Sequence, residues 1–472
     1  MATGKLKREL GLRDLVLFYV VSGLSLRWIA TAAAMGPSAL GFWVLAWCGF
    51  FLPLAGCVLE LSSRYPAEGG LYVWTREAFG PFPAFISAWT YWMSNLPYFP
   101  AVLFFAASSL LYAGRDMQGL AGSHAYFMFF TATALLLITL LNVLGLKSGK
   151  WLNNLGALGM ALPVILLIGL GIFSLVRFGS ATRFTLKALV PHAGVGNLVF
   201  LSTIFFAFGG CEAASFMGEE IADTRRAIPK SLLVAGAIVT IGYMAGTTAM
   251  LIALPASGIG GLGGFMTAID YLARKLGAGA LVAPTAMLVA LGNVGAAGAY
   301  LAAAARLPFV AGVDRYLPPV FGRVHPRWNT PYVALISYGA VAIFFGLLGE
   351  AGSSVEGAYD MLISMGVITY FIPYLFLFAS MIRLQWRPPQ ASAIRLPGGK
   401  WTAVPLAAVG LASTGCTIVL SLFPASDDPN PTATLLKISI MTVLLLGAGV
   451  AIYYWSPRSP RSYAPARDST SR

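Results

Sequence analysis

Twelve separated runs of roughly twenty apolar residues leave this chain one plausible solvent, the lipid bilayer. A helix rises 1.5 Å per residue, so about twenty residues cross a hydrocarbon core ~30 Å thick. The runs lie near 15–39, 41–64, 82–113, 123–146, 151–177 and 197–222, then 229–254, 279–305, 331–349, 356–383, 402–423 and 433–455. Hydrocarbon offers no water to unpaired peptide groups, so each run is expected to be helical. The fold class is therefore an all-α membrane protein of about 12 transmembrane helices. Composition points the same way. Of 472 residues, 58% are hydrophobic and 10% charged, where an ordinary soluble domain has roughly 25% charged.

A net charge of +13 raises the question of nucleic acid. The basic residues, however, sit in short connections on alternate sides of the runs, not on one face or stripe, and no nucleic-acid partner is expected. Segments on the side of the termini hold 23 of the 31 Lys and Arg, the opposite loops hold 7, and Arg27 lies inside the first run. That asymmetry predicts a multi-pass plasma-membrane protein with both termini in the cytoplasm. The basic N-terminal stretch (Lys5, Lys7, Arg8, Arg13) leads straight into the first run, with no cleavable signal to be read. The chain then divides into an N-tail (1–14), a transmembrane domain (15–455) and a Pro-, Ser- and Arg-rich tail from 456 that is expected to be disordered.

Enzyme and channel chemistry find little support. Cys48, Cys57, Cys211 and Cys416 all fall in apolar runs and read as small buried hydrophobes, not as a disulfide framework or metal site. His124, His192 and His325 are far apart in loops, without metal-ligand or nucleophile spacing. Lys150 follows a glycine, but Trp151 stands where a phosphate-binding loop needs Ser or Thr, so ATP-driven pumping is not indicated. No repeated filter or charge ring marks a channel. No cofactor and no metal are expected.

Two runs carry helix-weakening clusters in their middle. The first holds Ser22-Gly23-Leu24-Ser25-Leu26-Arg27, and the sixth holds Gly209-Gly210-Cys211-Glu212. Glycine costs a helix ~1 kcal/mol relative to alanine. Small residues also let helices pack closely, so either cluster alone has that reading. A matched pair five spans apart instead fits a carrier of two inverted repeats, whose broken helices bind solute near the midplane. The repeats would run over about 15–177 and 197–383, with two extra helices over 402–455. An ionisable residue at mid-membrane costs ~3 kcal/mol, so Arg27 and Glu212 need partners or functions. Either they form a structural ion pair, or Arg27 holds a substrate carboxylate while Glu212 titrates during transport. A fixed cation disfavours a dicationic polyamine. A zwitterionic or anionic amino acid is the expected cargo, with a polyamine as the alternative.

The connections carry motifs. Glu60-Leu-Ser-Ser-Arg64-Tyr65-Pro66-Ala-Glu68-Gly69-Gly70-Leu-Tyr72 ends the second run, and Glu219-Glu220-Ile-Ala-Asp223-Thr-Arg225-Arg226-Ala-Ile-Pro229 follows the sixth. After the eighth come Ala305-Arg306-Leu-Pro308, Asp314-Arg315-Tyr-Leu317-Pro318, His325-Pro326 and Thr330-Pro331. In this order, over roughly residues 10–385, the set resembles the amino acid–polyamine–organocation permeases. The resemblance implies a leucine-transporter-like five-plus-five inverted repeat and a site between spans 1, 3, 6, 8 and 10. It also implies that span 1 amides receive the carboxylate, that span 6 carbonyls receive the ammonium, and that an aromatic on span 6 acts as gate. The matching positions are Ser22, Gly23, Leu24, Ser25 and Arg27, then Gly209, Gly210, Cys211 and Glu212, with Phe206 or Phe208 as the gate. Trp92-Met-Ser94-Asn95 is similar to a segment of arginine–agmatine exchangers. Asn95 is thus either a substrate contact or an interhelical hydrogen bond. Two departures stand out: Ser25 and Arg27 replace a Gly-x-Gly pattern, and Met160 replaces a lysine found in some proton-coupled members. A proton through another route, or a counter-substrate, remains the expected coupling partner. Gly69-Gly70 reads as a tight turn, and Arg225 and Arg226 read as a charge network with Glu219, Glu220 and Asp223.

Overall fold

The computed structural model describes residues 8–191, 195–314, 316–349, 355–388, 393–421 and 431–456. Most of the N-tail, His192, Arg315 and the C-tail from 457 lie outside the described residues. Every regular element among the described residues is helical. In order these are α1 (Leu12–Gly23), α2 (Leu26–Ala34), α3 (Ser38–Ala46), α4 (Leu52–Arg64), α5 (Leu71–Phe79), α6 (Pro81–Leu110), α7 (His124–Val143), α8 (Leu146–Phe178) and α9 (Leu186–Leu189). The series continues with α10 (Val195–Ala207), α11 (Thr224–Ala253), α12 (Gly264–Lys275), α13 (Val282–Ala304), α14 (Arg306–Val313), α15 (Tyr332–Gly349), α16 (Val355–Leu384), α17 (Lys400–Leu420) and α18 (Pro431–Trp455).

Eight helical stretches are long and apolar enough to cross a membrane, and shorter apolar helices cover Tyr332–Leu347, Ile368–Leu384 and Thr442–Trp455. With the broken stretch from Val195 to Glu220 they correspond to the twelve apolar runs. Large apolar side chains such as Phe129, Leu136 and Val176 stand exposed on outer faces, where a water-facing protein would place polar groups. The protein is a multi-pass membrane protein. Cys57 and Cys211 are buried free thiols, whereas Cys48 and Cys416 are exposed, so burial of all four does not hold. The outward faces of these helices are apolar too, and an apolar run does not reveal which way a small thiol points.

The core gathers around α13, which packs on α8 and α6, while α16 packs on α6 and α17. Where α8 and α13 cross, two backbones touch. A Cβ on Gly156 would stand 2.7 Å from Gly295 Cα, and one on Gly159 would stand 2.5 Å from the Leu288 carbonyl oxygen. The glycines of this crossing therefore serve close packing. The second span is not a uniform helix: Trp47–Phe51 forms a π-helical turn between α3 and α4. Ser413 of α17 donates its hydroxyl to the Gly49 carbonyl there, at 2.7 Å. Gly69 and Gly70 take positive φ of 94° and 38°, making the tight turn into α5.

Replacing Gly295 by valine should lower stability by about 1–3 kcal/mol through overpacking. Gly169→Ala, where an added Cβ meets nothing within 4 Å, should melt no lower than wild type, since alanine favours a helix by ~1 kcal/mol. Thermal unfolding of the two purified variants in detergent checks the pair.

Candidate substrate site

The first span breaks at two residues. Leu24 and Ser25 are extended, with φ/ψ of −95°/101° and −107°/117°, between the end of α1 and the start of α2. The sixth span breaks over a longer stretch. After 13 residues α10 stops at Ala207, the chain turns through Phe208–Glu212, and it resumes as 3₁₀ turns over Ala213–Glu220, kinked at Met217. Gly210 sits at φ +104°, a conformation that favours glycine. The sixth run is thus a short helix and a tight irregular segment, not one span over 197–222. Phe, Gly, Ala and Met are apolar whatever their backbone does, so a hydropathy window cannot see the difference.

Peptide groups freed at the breaks need partners, and tyrosine hydroxyls supply them. Tyr243 of α11 stands between the two breaks. Its hydroxyl lies 2.6 Å from the Gly23 carbonyl and 3.0 Å from the Ala207 carbonyl, sharing one proton between them, and accepts the Ser25 N–H at 3.1 Å. The ring is fixed by stacking on Trp43 at 4.4 Å and by the edge of Phe208 at 5.5 Å. Tyr300 of α13 donates to the Ser22 carbonyl at 3.0 Å.

Between the breaks lies a small cavity. Ser22, Gly23 and Ser25 line it from the first break, and Phe206 and Gly209 from the second. Asn95 and Tyr98 of α6, Tyr300, and Tyr370 of α16 complete the wall. The α2 N-terminus meets this space with a partial positive charge, and the C-termini of α1 and α10 meet it with partial negative charge. A ligand carrying both signs would meet matching partial charges at these helix ends. The Phe206 ring sits between Trp28 at 5.6 Å and Tyr370 at 4.5 Å. Gly209 has no room for a side chain: a Cβ would stand 2.1 Å from the Tyr370 hydroxyl.

Other expected site residues are placed elsewhere. Leu24 turns away toward Gly242 of α11. Phe208 packs on Trp43 and Phe51, and Cys211 lines an apolar gap with Tyr19 and Phe51. Gly210 stands against the Tyr300 hydroxyl. Asn95 donates to the Tyr91 carbonyl of its own helix at 2.8 Å, so that amide bond is not interhelical. Glu212 is fully buried and receives the Tyr91 hydroxyl at 2.7 Å, the Tyr374 hydroxyl at 2.9 Å and the Gly210 N–H at 3.2 Å. Tyr374 in turn lies 2.7 Å from the Tyr370 hydroxyl on the cavity wall. Arg27 is not among the partners of Glu212. Its guanidinium lies over the Trp28 ring, 4.3 Å from the centroid, in a neighbouring cavity that shares Ser25, Trp28 and Tyr98 with the central one. The tyrosines were missed from sequence, although a hydroxyl in mid-span signals an unmet backbone group nearby.

Two discontinuous helices meeting at a cavity inside an apolar helix bundle are the arrangement of a solute transporter. A profile of the family described as "Amino acid permease" matches residues 10–448, and the chain belongs to that family. Similar proteins include an uncharacterised transporter of Legionella pneumophila, 26% identical over 444 residues, 93% of this chain and 95% of that one. A probable agmatine/putrescine antiporter of Lactococcus lactis is 22% identical over 426 residues, 90% of each chain. The b(0,+)-type amino acid transporter 1 of Mus musculus is 26% identical over 331 residues, 70% of this chain and 66% of that one. The protein is a transporter of the amino acid–polyamine–organocation kind, not an enzyme.

Tyr243→Phe removes the hydroxyl shared by both breaks and should cost roughly 1–3 kcal/mol, the price of buried peptide groups left unpaired. The same variant should lose any ligand-induced rise in melting temperature. Tyr271→Phe, on a partly exposed ring, should change neither reading.

Proposed function

We propose that the protein is a secondary active carrier of small zwitterionic or anionic amino acids across the plasma membrane, with both termini cytoplasmic. Alternating access would operate on a five-plus-five inverted repeat, 15–177 and 197–383, with α17 and α18 as additions. The observation that carries this reading is the convergence of opposite helix ends on one cavity. The α2 N-terminus suits a carboxylate, and the α10 C-terminus suits an ammonium. In this reading Ser25 and its neighbours at the first break receive the carboxylate. Carbonyls before Gly209 receive the ammonium, and Phe206, the candidate gate that lines the cavity, covers the solute. Arg27 then adds a fixed positive charge one side chain away from the carboxylate end.

A polyamine reading draws on the name of the Lactococcus relative. It needs a second ammonium to be accepted near Arg27, where like charges repel in low dielectric. The Glu212 acid is wrapped by two tyrosines and a backbone amide and does not line the cavity, so it offers a second ammonium no direct contact.

A thermal-shift screen of the purified protein against the common amino acids and polyamines separates the two classes. A ligand at a hundred times its Kd should add about 2.7 kcal/mol of stability. Shifts with putrescine or agmatine and none with any amino acid would overturn the proposal. In liposomes, Arg27→Ala should reduce uptake of the responding amino acid at least about tenfold, the equivalent of ~1.4 kcal/mol. Near-normal uptake would remove Arg27 from the site.

A further inference from the structure

At the end of the bundle where α1 begins, four segments meet around buried charges. The Glu9 and Leu10 N–H groups both donate to the Glu220 carbonyl, at 3.0 and 3.1 Å, and the Ala222 N–H donates to the Leu10 carbonyl at 3.1 Å. Leu10 thereby lies beside Ile221 as a one-residue parallel bridge. Arg306, at the start of α14, grips both carboxylate oxygens of Glu220 through Nε and Nη2, at 2.7–2.9 Å. Its Nη1 donates to the Ala302 carbonyl. Sequence proximity assigned Glu220 to Arg225 and Arg226, but its partner is 86 positions away.

Glu68 joins from the connection between α4 and α5. Its Oε2 accepts the Glu219 N–H at 2.9 Å, and its Oε1 stands 3.9 Å from Arg306 Nε. That Oε1 is buried and has no hydrogen-bond partner among the described residues. Glu68, Glu220 and Arg306 are exposed by only 6%, 0% and 2%. Two carboxyl groups thus face one guanidinium, and Glu220 holds it with two-pronged geometry. Glu68 is the surplus acid. The charged groups facing it are Glu220, Glu219 and Arg306, while Glu9 faces Glu220 from the N-tail. Across the adjoining cavity, Lys150 and Asp14 neutralise each other at 2.6 Å.

We propose that Glu68 is a proton-binding site, protonated while these four segments are packed and ionised when they part. Opening of this end of the bundle then releases one proton, and closure takes one up. Burial, then the Glu220 carboxylate, holds the Glu68 carboxyl well above the usual carboxylate range, and Arg306 and the Glu219 amide offset this only in part. The sign follows. A carboxyl with a raised affinity for protons in the packed state favours packing at low pH. Raising the pH toward that elevated value favours the open state, where water solvates the carboxylate. The inference rests on the alternating-access reading, because it assigns the proton to one of the two access states.

The full chain in liposomes tests this, with the exposed Cys48 and Cys416 changed to serine and spin labels at Leu12→Cys and Arg226→Cys. Pulsed electron resonance then reads the distance between α1 and α11 from about pH 5 to pH 9. The open fraction should rise with pH by up to about tenfold per unit, as release of one proton requires. Glu68→Gln should stay closed across the range, and Glu68→Asp should keep a pH response. A wild-type distance distribution that does not move with pH overturns the proposal, even if the Gln variant fails to fold. So does a Gln variant that titrates like wild type. Amino acid thermal shifts on the same samples test the transport reading separately: shifts without a pH-dependent distance sink the proton site alone, and the converse sinks the amino acid assignment alone.

Discussion

One hydroxyl group holds the two helix breaks in register. In hydrocarbon a helix can stop only where something replaces its lost hydrogen bonds, and Tyr243 does this for both broken spans at once. The stack on Trp43 and the edge of Phe208 fix where that hydroxyl stands, so α3, α10 and α11 together decide how the breaks face each other. Tyr300 plays the same part for Ser22 and presses on Gly210, which explains why a left-handed glycine is needed there. The cavity follows from these restraints: the backbone around it is polar and irregular, yet positioned.

Glu212 is a buried acid that meets no counter-charge among the described residues. Two phenol hydroxyls and a backbone N–H converge on it, each bond to the carboxylate stronger than a bond between neutral groups. This leaves Arg27 outside that cluster, over the Trp28 ring and beside the cavity shared with Ser25 and Tyr98. The two ionisable residues at the breaks therefore occupy separate environments, although the fold brings both breaks to one place.

Much of this was legible before any coordinates. Twelve apolar runs set the helix number, and Ser22–Arg27 and Gly209–Glu212 marked both breaks because helix-weakening residues inside a span demand a reason. The sequence concealed what depends on tertiary neighbours. Tyr91, Tyr243, Tyr300, Tyr370 and Tyr374 sit in apolar helices, and nothing in the sequence marks the polar group each will meet. Asn95 was ambiguous for the same reason: its amide bonds within α6 while its side chain lines the cavity. Among the charges after the sixth span, Glu220 was misassigned because adjacency in sequence stood in for adjacency in space. Arg306, far along the chain, completes the pair that Arg225 and Arg226 were expected to make.

The π-helical turn in the second span gives α17 a duty beyond thickening the bundle. A wide turn shifts the carbonyls around it out of step with the donors above them, and the Gly49 oxygen is met by the Ser413 hydroxyl. A shorter relative built without α17 would have to straighten that turn or find another donor for it. The bulge and α17 are thus tied together by this hydrogen bond.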